Sequence, residues 1–431
     1  MHRSTRDEAG AADRASSCDD VMDSSEVKWP SDGSRQAMPR MAAASLVELR
    51  LIQRALKRLG AGNIRVELWD GSGAGPTGER ATTTVFVRRR RALLRMLVDP
   101  EFAVGDCYCE GEIEVQGDLV ALLEAANRGE SQEASRRSVW THRLSRYQWA
   151  IGRRRARRNI RRHYDLSNDF YRLWLDPTMT YSCAYFPSHG ASLADAQTAK
   201  LDRICRKLAL RPGERVIEAG CGWGSLAIHM AAHYGVQVKA YNISHEQIVY
   251  ARERVRTLGL ADRVEFVEDD YRAISGPAGA FVSVGMLEHI GRRHYRELGA
   301  VIHRCLEPGG RGLIHSIGRH RPMPPNRWMQ RRIFPDGYVP SPSEMAEVLE
   351  PNELAILDVE NLREHYARTL DHWLENFEGV SDEAERMFDQ RFVRMWRLYL
   401  ASSAASFRTG WHQLYQIVFA PNDADWVAPR V

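Results

Sequence analysis

Five apolar runs that alternate with helical stretches constrain the fold of this 431-residue chain most strongly. Strands joined by helix-length connections lie parallel, and their helices cover both faces of the sheet. We therefore predict an α/β fold with a doubly wound sheet. Two later runs, separated by a helical stretch at about 369–408, extend it to seven mostly parallel strands. In chain order the seven runs are RVIEAG, VQVKAYN, RVEFVED, AFVSVG, GLIHSIG, LAILDVENL and LYQIVFA.

The rest of the chain divides into segments of different composition. The first residues contain few large apolar side chains, which predicts disorder. An amphipathic helix that stops near Gly60, followed by alternating strands, predicts a small α+β domain. A proline- and arginine-rich stretch interrupts the alternation late in the chain and predicts an insertion. The predicted segments are a tail at 1–44, the α+β domain at 45–135, a basic linker helix at 136–162 and a catalytic domain at 163–431 with an insertion at about 318–350.

Nine arginines lie between residues 143 and 162, interleaved with Tyr147, Trp149 and Ile151. A solvated linker helix, an anionic membrane surface and a nucleic acid are all compatible with this pattern. The formal net charge of +4 is too small to imply a nucleic-acid partner by itself. No window approaches the roughly 18 consecutive apolar residues of a membrane span, and the amino terminus lacks a secretory signal. We expect a cytoplasmic protein.

Seven cysteines are spread along the chain without a CxxC pair. They also lack companion histidines at zinc spacing, so we expect reduced thiols and no metal site.

A glycine motif, Glu218-Ala-Gly220-Cys-Gly222-Trp-Gly224, connects the first strand of the sheet to a helix. Glycines at this position let the backbone approach a nucleoside closely at the carboxyl end of the strand. The spacing GxGxG after an acid differs from the dinucleotide pattern and resembles the first motif of class I S-adenosylmethionine (SAM) methyltransferases. A glycine-rich turn without a ligand is the alternative.

Polar residues also follow the next three strands. Asn242 ends the second strand and is placed to bind ribose hydroxyls, and Asp270 follows the third, where it either contacts adenine or caps a helix. After the fourth strand come Glu288 and His289, which suggest a polar cluster that holds a base or an anion. His289 is equally compatible with a packed, hydrogen-bonded role. The Asn/Asp-Pro-Pro-aromatic signature of adenine amino methyltransferases is absent here.

Six motifs in order give the sequence a specific resemblance. HYDLSNDFY, MTYSCAYF, EAGCGWG, GMLEHIG, LIHSIG and YARTLDHWLENFE resemble the bacterial cyclopropane-fatty-acyl-phospholipid synthases and the mycolic-acid cyclopropane synthases. The resemblance covers about residues 159–420, and the small domain before it resembles the extra amino-terminal domain of the phospholipid-acting branch. It implies a Rossmann-like, class I SAM-methyltransferase fold.

The resemblance also implies a reaction. In the family, the double bond of an esterified acyl chain attacks the methyl group of SAM, and the resulting carbocation loses a proton to bound bicarbonate while the ring closes. Matching positions imply a bicarbonate cage of Cys183, Glu288, His315, Tyr366 and the backbone of Ile317. For SAM they imply Tyr181, Ser182, Glu218, Gly220, Gly222, Gly224, Asn242, Gln247, Asp270 and Tyr271.

The implied partner is an unsaturated phospholipid, reached by peripheral association with the inner face of the cytoplasmic membrane, and a homodimer is possible. Ser403 stands where some relatives carry a cysteine, which we expect to be dispensable. A close alternative ends in a methylene- or methyl-branched chain instead of a ring. More distant alternatives are a SAM enzyme acting on RNA or DNA, which the missing signature disfavours, and a non-enzymatic lipid-binding module.

Overall fold

The structure, a computed structural model, describes residues 43–60, 62–137 and 166–429. Nearly all of the predicted tail and most of the predicted basic linker helix, with its arginines, lie outside the described residues. The six cysteines inside those ranges are free, as expected. Within the part of the chain that the structure describes, no helix combines the length and the apolar character required to cross a membrane.

A four-stranded sheet and four helices form the amino-terminal part. The sheet has the order β2-β1-β3-β4, and the chain between the parallel strands β1 and β3 contains the short strand β2, where the sequence suggested only a turn. Apolar residues of helices α1 and α2 pack on this sheet and form a separate core. The elements are α1 (Leu46–Arg58), β1 (Ile64–Leu68), β2 (Gly73–Ala74), β3 (Thr83–Val87), α2 (Arg90–Val98), α3 (Pro100–Cys109), β4 (Ile113–Gly117) and α4 (Leu119–Arg137).

The larger part of the chain forms a seven-stranded sheet with its helices. The elements are α5 (Asn168–Arg172), α6 (Leu193–Lys207), β5 (Arg215–Ala219), α7 (Ser225–Tyr234), β6 (Gln237–Asn242), α8 (His245–Thr257), β7 (Val264–Glu268), β8 (Ala278–Val284), α9 (Leu287–Ile290), α10 (Tyr295–Cys305), β9 (Leu306–Gly318), α11 (Arg327–Arg332), α12 (Pro342–Leu349), β10 (Leu354–Asn361), α13 (Arg363–Gly379), α14 (Ser381–Met387), α15 (Gln390–Arg408) and β11 (Gln413–Pro421).

The sheet order is β10-β11-β9-β8-β5-β6-β7, and this confirms the predicted α/β fold class. Strands β5 to β9 are parallel, whereas β11 runs antiparallel to both of its neighbours. Successive strand residues point to opposite faces. Val216 and Ile217 of β5 accordingly belong to two different buried clusters, one on each side of the sheet. Helices therefore cover both faces, as the long apolar runs require.

Two segments are more divided than the sequence suggested. The helical stretch predicted at about 369–408 begins earlier, at Arg363, and consists of three helices. The third helix starts after Asp389, whose carboxylate caps it by accepting a hydrogen bond from the Phe392 amide at 2.6 Å. The predicted insertion contains helices α11 and α12.

Helix α11 of this insertion packs against helix α3 of the amino-terminal part. The indole of Trp328 is buried close to Gly105, and its Nε1 donates to Asp106 at 3.2 Å. Arg332 donates to both carboxylate oxygens of Asp106, at 2.9 and 2.6 Å. One buried carboxylate therefore joins the insertion to the small sheet region.

Replacing Arg332 tests this connection. Arg332→Met should lower the free energy of unfolding by about 2 kcal/mol, because it leaves the Asp106 carboxylate buried with only the indole as donor. The effect should be smaller than for a fully buried pair, since the Arg332 side chain is 33% exposed. Urea denaturation measures it. Arg331→Met is the control: its guanidinium lies over Phe102, and its loss should cost less than about 0.5 kcal/mol.

Candidate active site

A pocket opens at the carboxyl ends of β5, β6, β7 and β8. Ligands bind at this edge of open α/β sheets because the connecting loops converge there. Nine of the ten residues predicted to bind SAM line this pocket. These are Tyr181, Ser182, Glu218, Gly220, Gly222, Asn242, Gln247, Asp270 and Tyr271.

The tenth, Gly224, is not one of the lining residues. Its backbone is left-handed (φ +84°) and begins helix α7, and a Cβ there would lie 2.5 Å from Cζ of Phe266. This glycine therefore allows the helix to begin against β7, and its contact with the cofactor stays a prediction. Gly222 differs, because its left-handed backbone (φ +53°) faces open space in the pocket.

Helix α6 holds the loop that carries Tyr181 and Ser182. Gln197 Nε2 donates to the carbonyls of Thr180 and Ser182 at 3.2 and 2.9 Å. Lys200 Nζ donates to Ser182 Oγ at 2.9 Å. Both helix side chains are buried, and Lys200 also lines the pocket. The sequence reasoning missed both residues, because lysine and glutamine on an amphipathic helix are usually exposed to solvent.

Asn242 and Asp270 make local hydrogen bonds at the pocket wall. Asn242 Nδ2 donates to the carbonyl of Gly222 at 3.2 Å and to Gln247 Oε1 at 2.8 Å. Asp270 accepts from the amide of Arg272 at 3.0 Å and pairs with its guanidinium. Asp270 therefore caps a short helical turn, the alternative that the sequence left open, and it still faces the pocket.

Glu288 follows strand β8, and His315 and Ile317 lie on the neighbouring strand β9. Glu288 Oε1 accepts the Ile317 amide hydrogen at 2.6 Å, while Glu288 Oε2 has no hydrogen-bond partner among the described residues. His315 lies opposite Gln416 on the neighbouring strand, and its Nδ1 is 3.1 Å from Gln416 Nε2. Its Nε2 likewise has no partner within the described ranges. Glu288 and His315 thus each present one buried polar atom without a partner among the described residues.

Burial controls the charge of these two residues. It raises the pKa of Glu288 to about 7, although backbone amide hydrogen bonds, including that of Ile317, oppose the increase. It holds the pKa of His315 well below its usual value, and the charges of Lys200 and Lys207 act in the same direction. The imidazole is therefore neutral at pH 7.

Cys183 and Tyr366, the other predicted cage residues, are placed in the aromatic core near Leu362. Cys183 is fully buried, and its thiol donates to the Ala184 carbonyl at 3.1 Å. Burial raises the pKa of this thiol, so it stays protonated. The ring of Tyr366 packs on Phe407 with ring centres 4.5 Å apart. Neither residue belongs to the lining of the main pocket.

His289 lines the pocket and is only partly buried. Its ring centre is 5.8 Å from that of Phe334 in the insertion, and burial lowers its pKa to about 4. The imidazole is therefore neutral at pH 7, and the choice between its two predicted roles stays a prediction.

Comparison with known proteins decides the family. The sequence model of mycolic acid cyclopropane synthetase matches residues 152–417, more than half of the chain. The chain belongs to this family. The match confirms the resemblance seen in the six motifs, and it identifies a SAM-dependent methyltransferase of the cyclopropane-synthase type. A second model, a domain of unknown function, matches residues 51–137.

Three curated relatives illustrate the range of names in this family. A probable fatty acid methyltransferase of Pseudomonas putida is 34% identical over 84% of this chain and 93% of its own length. Tuberculostearic acid methyltransferase UfaA1 of Mycobacterium tuberculosis is 35% identical over 90% of this chain and 94% of its own length. Cyclopropane-fatty-acyl-phospholipid synthase of Escherichia coli is 40% identical over 63% of this chain and 68% of its own length.

Solved structures support the same assignment. Cyclopropane synthase MmaA2 from Mycobacterium tuberculosis superimposes with a TM-score of 0.59 at 30% identity, covering 61% of this chain and 98% of that protein. Mycolic acid cyclopropane synthase CmaA1, complexed with SAH and CTAB, gives a TM-score of 0.58 at 31% identity, covering 61% and 97%. The family fold is therefore the class I SAM-methyltransferase fold.

Proposed function

We propose that this protein is a cyclopropane-fatty-acyl-phospholipid synthase. It transfers the methyl group of SAM to the cis double bond of an unsaturated acyl chain and closes a cyclopropane ring after proton loss to a bound bicarbonate. The observation that carries the proposal is the pair of unused buried atoms, Glu288 Oε2 and His315 Nε2. Such atoms are costly to bury unless a ligand pairs with them.

The pocket fits SAM. A Cβ on Gly222 or on Gly285 would project into open space in the pocket, so both glycines leave room for a ligand. When bound, SAM supplies an electrophilic methyl group. The residues that would hold it are the nine predicted ones that line the pocket, and its ribose hydroxyls suit the amide groups of Asn242 and Gln247.

Two of the five residues predicted to hold bicarbonate, His315 and Glu288, offer it a donor and an acceptor. If Gln416 Nε2 donates to His315 Nδ1, then Nε2 of this neutral imidazole carries the hydrogen and can donate to an anion. Glu288 Oε2 can accept the bicarbonate hydroxyl. The Ile317 amide already donates to Glu288, so we assign it to orienting that carboxylate. When bound, bicarbonate supplies a base for the proton that the methyl group loses.

Aromatic side chains pack around Tyr181, a residue of the pocket lining, and suit a carbocation. The ring of Tyr181 lies 5.4 Å from that of Trp174 and 5.1 Å from that of Trp373. An alkene offers no hydrogen bonds, so shape alone must position it, and water must be excluded because it would trap the cation. Rings also present negative π faces towards positive charge. We propose that this wall positions the acyl chain.

A second candidate keeps the same site but ends in a methyl-branched chain. The names of the two relatives that match most of this chain favour it, since both are fatty acid or tuberculostearic acid methyltransferases. Proton loss from a neighbouring chain carbon would leave a methyl-branched alkene, and a hydride shift followed by loss of a methyl proton would leave a methylene branch. The two candidates therefore differ in product and share SAM and lipid.

A phospholipid substrate requires the protein to associate peripherally with a membrane. We propose that this membrane surface is the inner face of the cytoplasmic membrane. Three exposed apolar residues on helix α2, Leu94, Leu97 and Val98, support the proposal, since they occupy one side of a helix that also carries arginines. Homodimer formation remains a prediction from the sequence.

Product analysis tests the proposed function. Purified protein is incubated with SAM and vesicles of monounsaturated phospholipid, and the released acyl chains are examined by mass spectrometry and proton NMR. The proposal predicts a gain of one CH2 unit with high-field ring protons. The same mass gain with olefinic or methyl-branch signals would establish the second candidate instead.

Removal of bicarbonate should slow the reaction. In buffer freed of carbon dioxide, we expect the rate to fall at least about tenfold, because the methyl proton loses its base. Added sodium bicarbonate should restore the rate, and sodium chloride at equal ionic strength should not. An initial rate that is the same in all three buffers would contradict the role of bicarbonate.

A further inference from the structure

Lys200 is a buried cation whose electrostatic environment is incomplete. Only 1% of this residue is exposed, it lines the pocket, and its one hydrogen-bond partner among the described residues is the hydroxyl of Ser182. A hydroxyl gives an ammonium group no charge neutralisation. Buried charges of this kind are strongly unfavourable unless they are paired.

Lys207 on the same helix shows how the fold satisfies a buried lysine. It lies two helical turns further on, is 2% exposed, and its Nζ is 2.7 Å from Glu360 and 3.2 Å from Asp358. The contrast makes Lys200 unusual, because within the described ranges no carboxylate is in ion-pair contact with it.

Glu218 is the complementary case in the same pocket. It is 2% exposed, and its Oε2 has no hydrogen-bond partner within the described ranges. Burial raises the pKa of Glu218 and lowers that of Lys200, and the charge of each residue only partly opposes the shift of the other. Each residue would gain from an opposite charge that entered the pocket.

We propose that Lys200 binds the α-carboxylate of SAM while Glu218 receives the α-ammonium group of the same molecule. The amino-acid end of SAM carries both charged groups on one carbon, and the pocket offers one buried lysine and one buried carboxyl group whose charged forms an opposite charge would stabilise. Binding of SAM would give both Lys200 and Glu218 an oppositely charged partner. Ser182 then fixes the direction of the lysine side chain. This inference rests on the proposed use of SAM.

Two ligands that differ only in the α-carboxylate measure its contribution to binding. S-adenosylhomocysteine carries both charged groups, whereas its decarboxylated analogue, 5′-(3-aminopropyl)thio-5′-deoxyadenosine, keeps only the ammonium group. Isothermal titration of the full chain should give about 10- to 100-fold tighter binding of S-adenosylhomocysteine, the range of a charge-assisted hydrogen bond. Lys200→Met should reduce that preference to within about twofold and leave the binding of the analogue nearly unchanged.

Three further variants control for structure. Lys207→Met removes a buried charge from the same helix and should keep the full preference. Lys200→Gln is neutral but can still donate to Ser182, so it should lose the preference even if Lys200→Met does not fold. Lys200→Arg keeps the charge and should retain part of the preference. Thermal unfolding of each variant, without ligand, shows that it is folded.

Two results would overturn the role of Lys200 without affecting the proposed use of SAM. The first is a preference for S-adenosylhomocysteine that persists in Lys200→Met and Lys200→Gln. The second is an equal loss of affinity for both ligands, which would mean that Lys200 only supports the loop of Ser182. Failure of the unaltered protein to bind S-adenosylhomocysteine would instead overturn the proposed use of SAM.

Discussion

Glu288→Gln should reduce product formation about 1,000-fold, within the range attributed to positioned acid–base groups. The substitution keeps the size of the side chain, and an amide oxygen can still accept the Ile317 hydrogen. The second oxygen, however, becomes an amide nitrogen. The oxygen that would accept the bicarbonate hydroxyl is thereby replaced by a donor, so the base would be held poorly. The initial rate with SAM and lipid vesicles measures the effect.

Binding data show whether the loss is chemical. Glu288 does not line the SAM pocket, so the affinity of Glu288→Gln for S-adenosylhomocysteine should change less than about threefold. Glu265→Gln is the matched control, since that side chain is 64% exposed on β7, and its rate should equal that of the unaltered protein. A Glu288→Gln protein that kept more than a tenth of the activity would show that this carboxylate is not needed for proton removal.

Gly222→Val should weaken the binding of S-adenosylhomocysteine at least about 100-fold. Two costs combine. A β-branched residue at φ +53° is strained by about 1–2 kcal/mol, and its side chain would occupy the space that the pocket leaves for the ligand. Isothermal titration measures the loss of affinity, and the free energy of unfolding measures the strain separately.

Gly259→Val separates strain from blockage. Gly259 has a similar left-handed backbone (φ +67°) and open surroundings, but it lies on an exposed turn after helix α8 and outside the pocket lining. Its substitution should lower stability by a similar amount and leave affinity intact. Equal affinity losses in both variants would mean that Gly222 supports the fold and not the ligand.

The sheet could be predicted because its signal is local. Long apolar runs and the helices between them follow from burial on both faces, and each run became one strand. The amino-terminal turn was harder, because the two residues of β2 carry no periodicity and pair only through β1. The break between α14 and α15 depends on a single capping residue, Asp389, inside an otherwise helical pattern.

The site could be predicted only in part. The sequence pointed to Gly222 and Asn242, which line the pocket, because glycine and polar residues follow strand ends where ligands bind. It could not show that Gly224 packs on Phe266, since that contact joins distant elements. Lys200 was missed because a lysine on an amphipathic helix is usually solvated, and only the packed structure shows that this one is buried.

The fate of the methyl hydrogens tests the central claim most directly. The protein is given SAM with a trideuterated methyl group and monounsaturated phospholipid, and the products are analysed by mass spectrometry and by proton and deuterium NMR. Ring closure breaks one methyl C–D bond, and its electron pair forms the last carbon–carbon bond of the ring. We expect two deuterons on a high-field ring carbon. A product that keeps all three deuterons in a methyl branch would contradict the account.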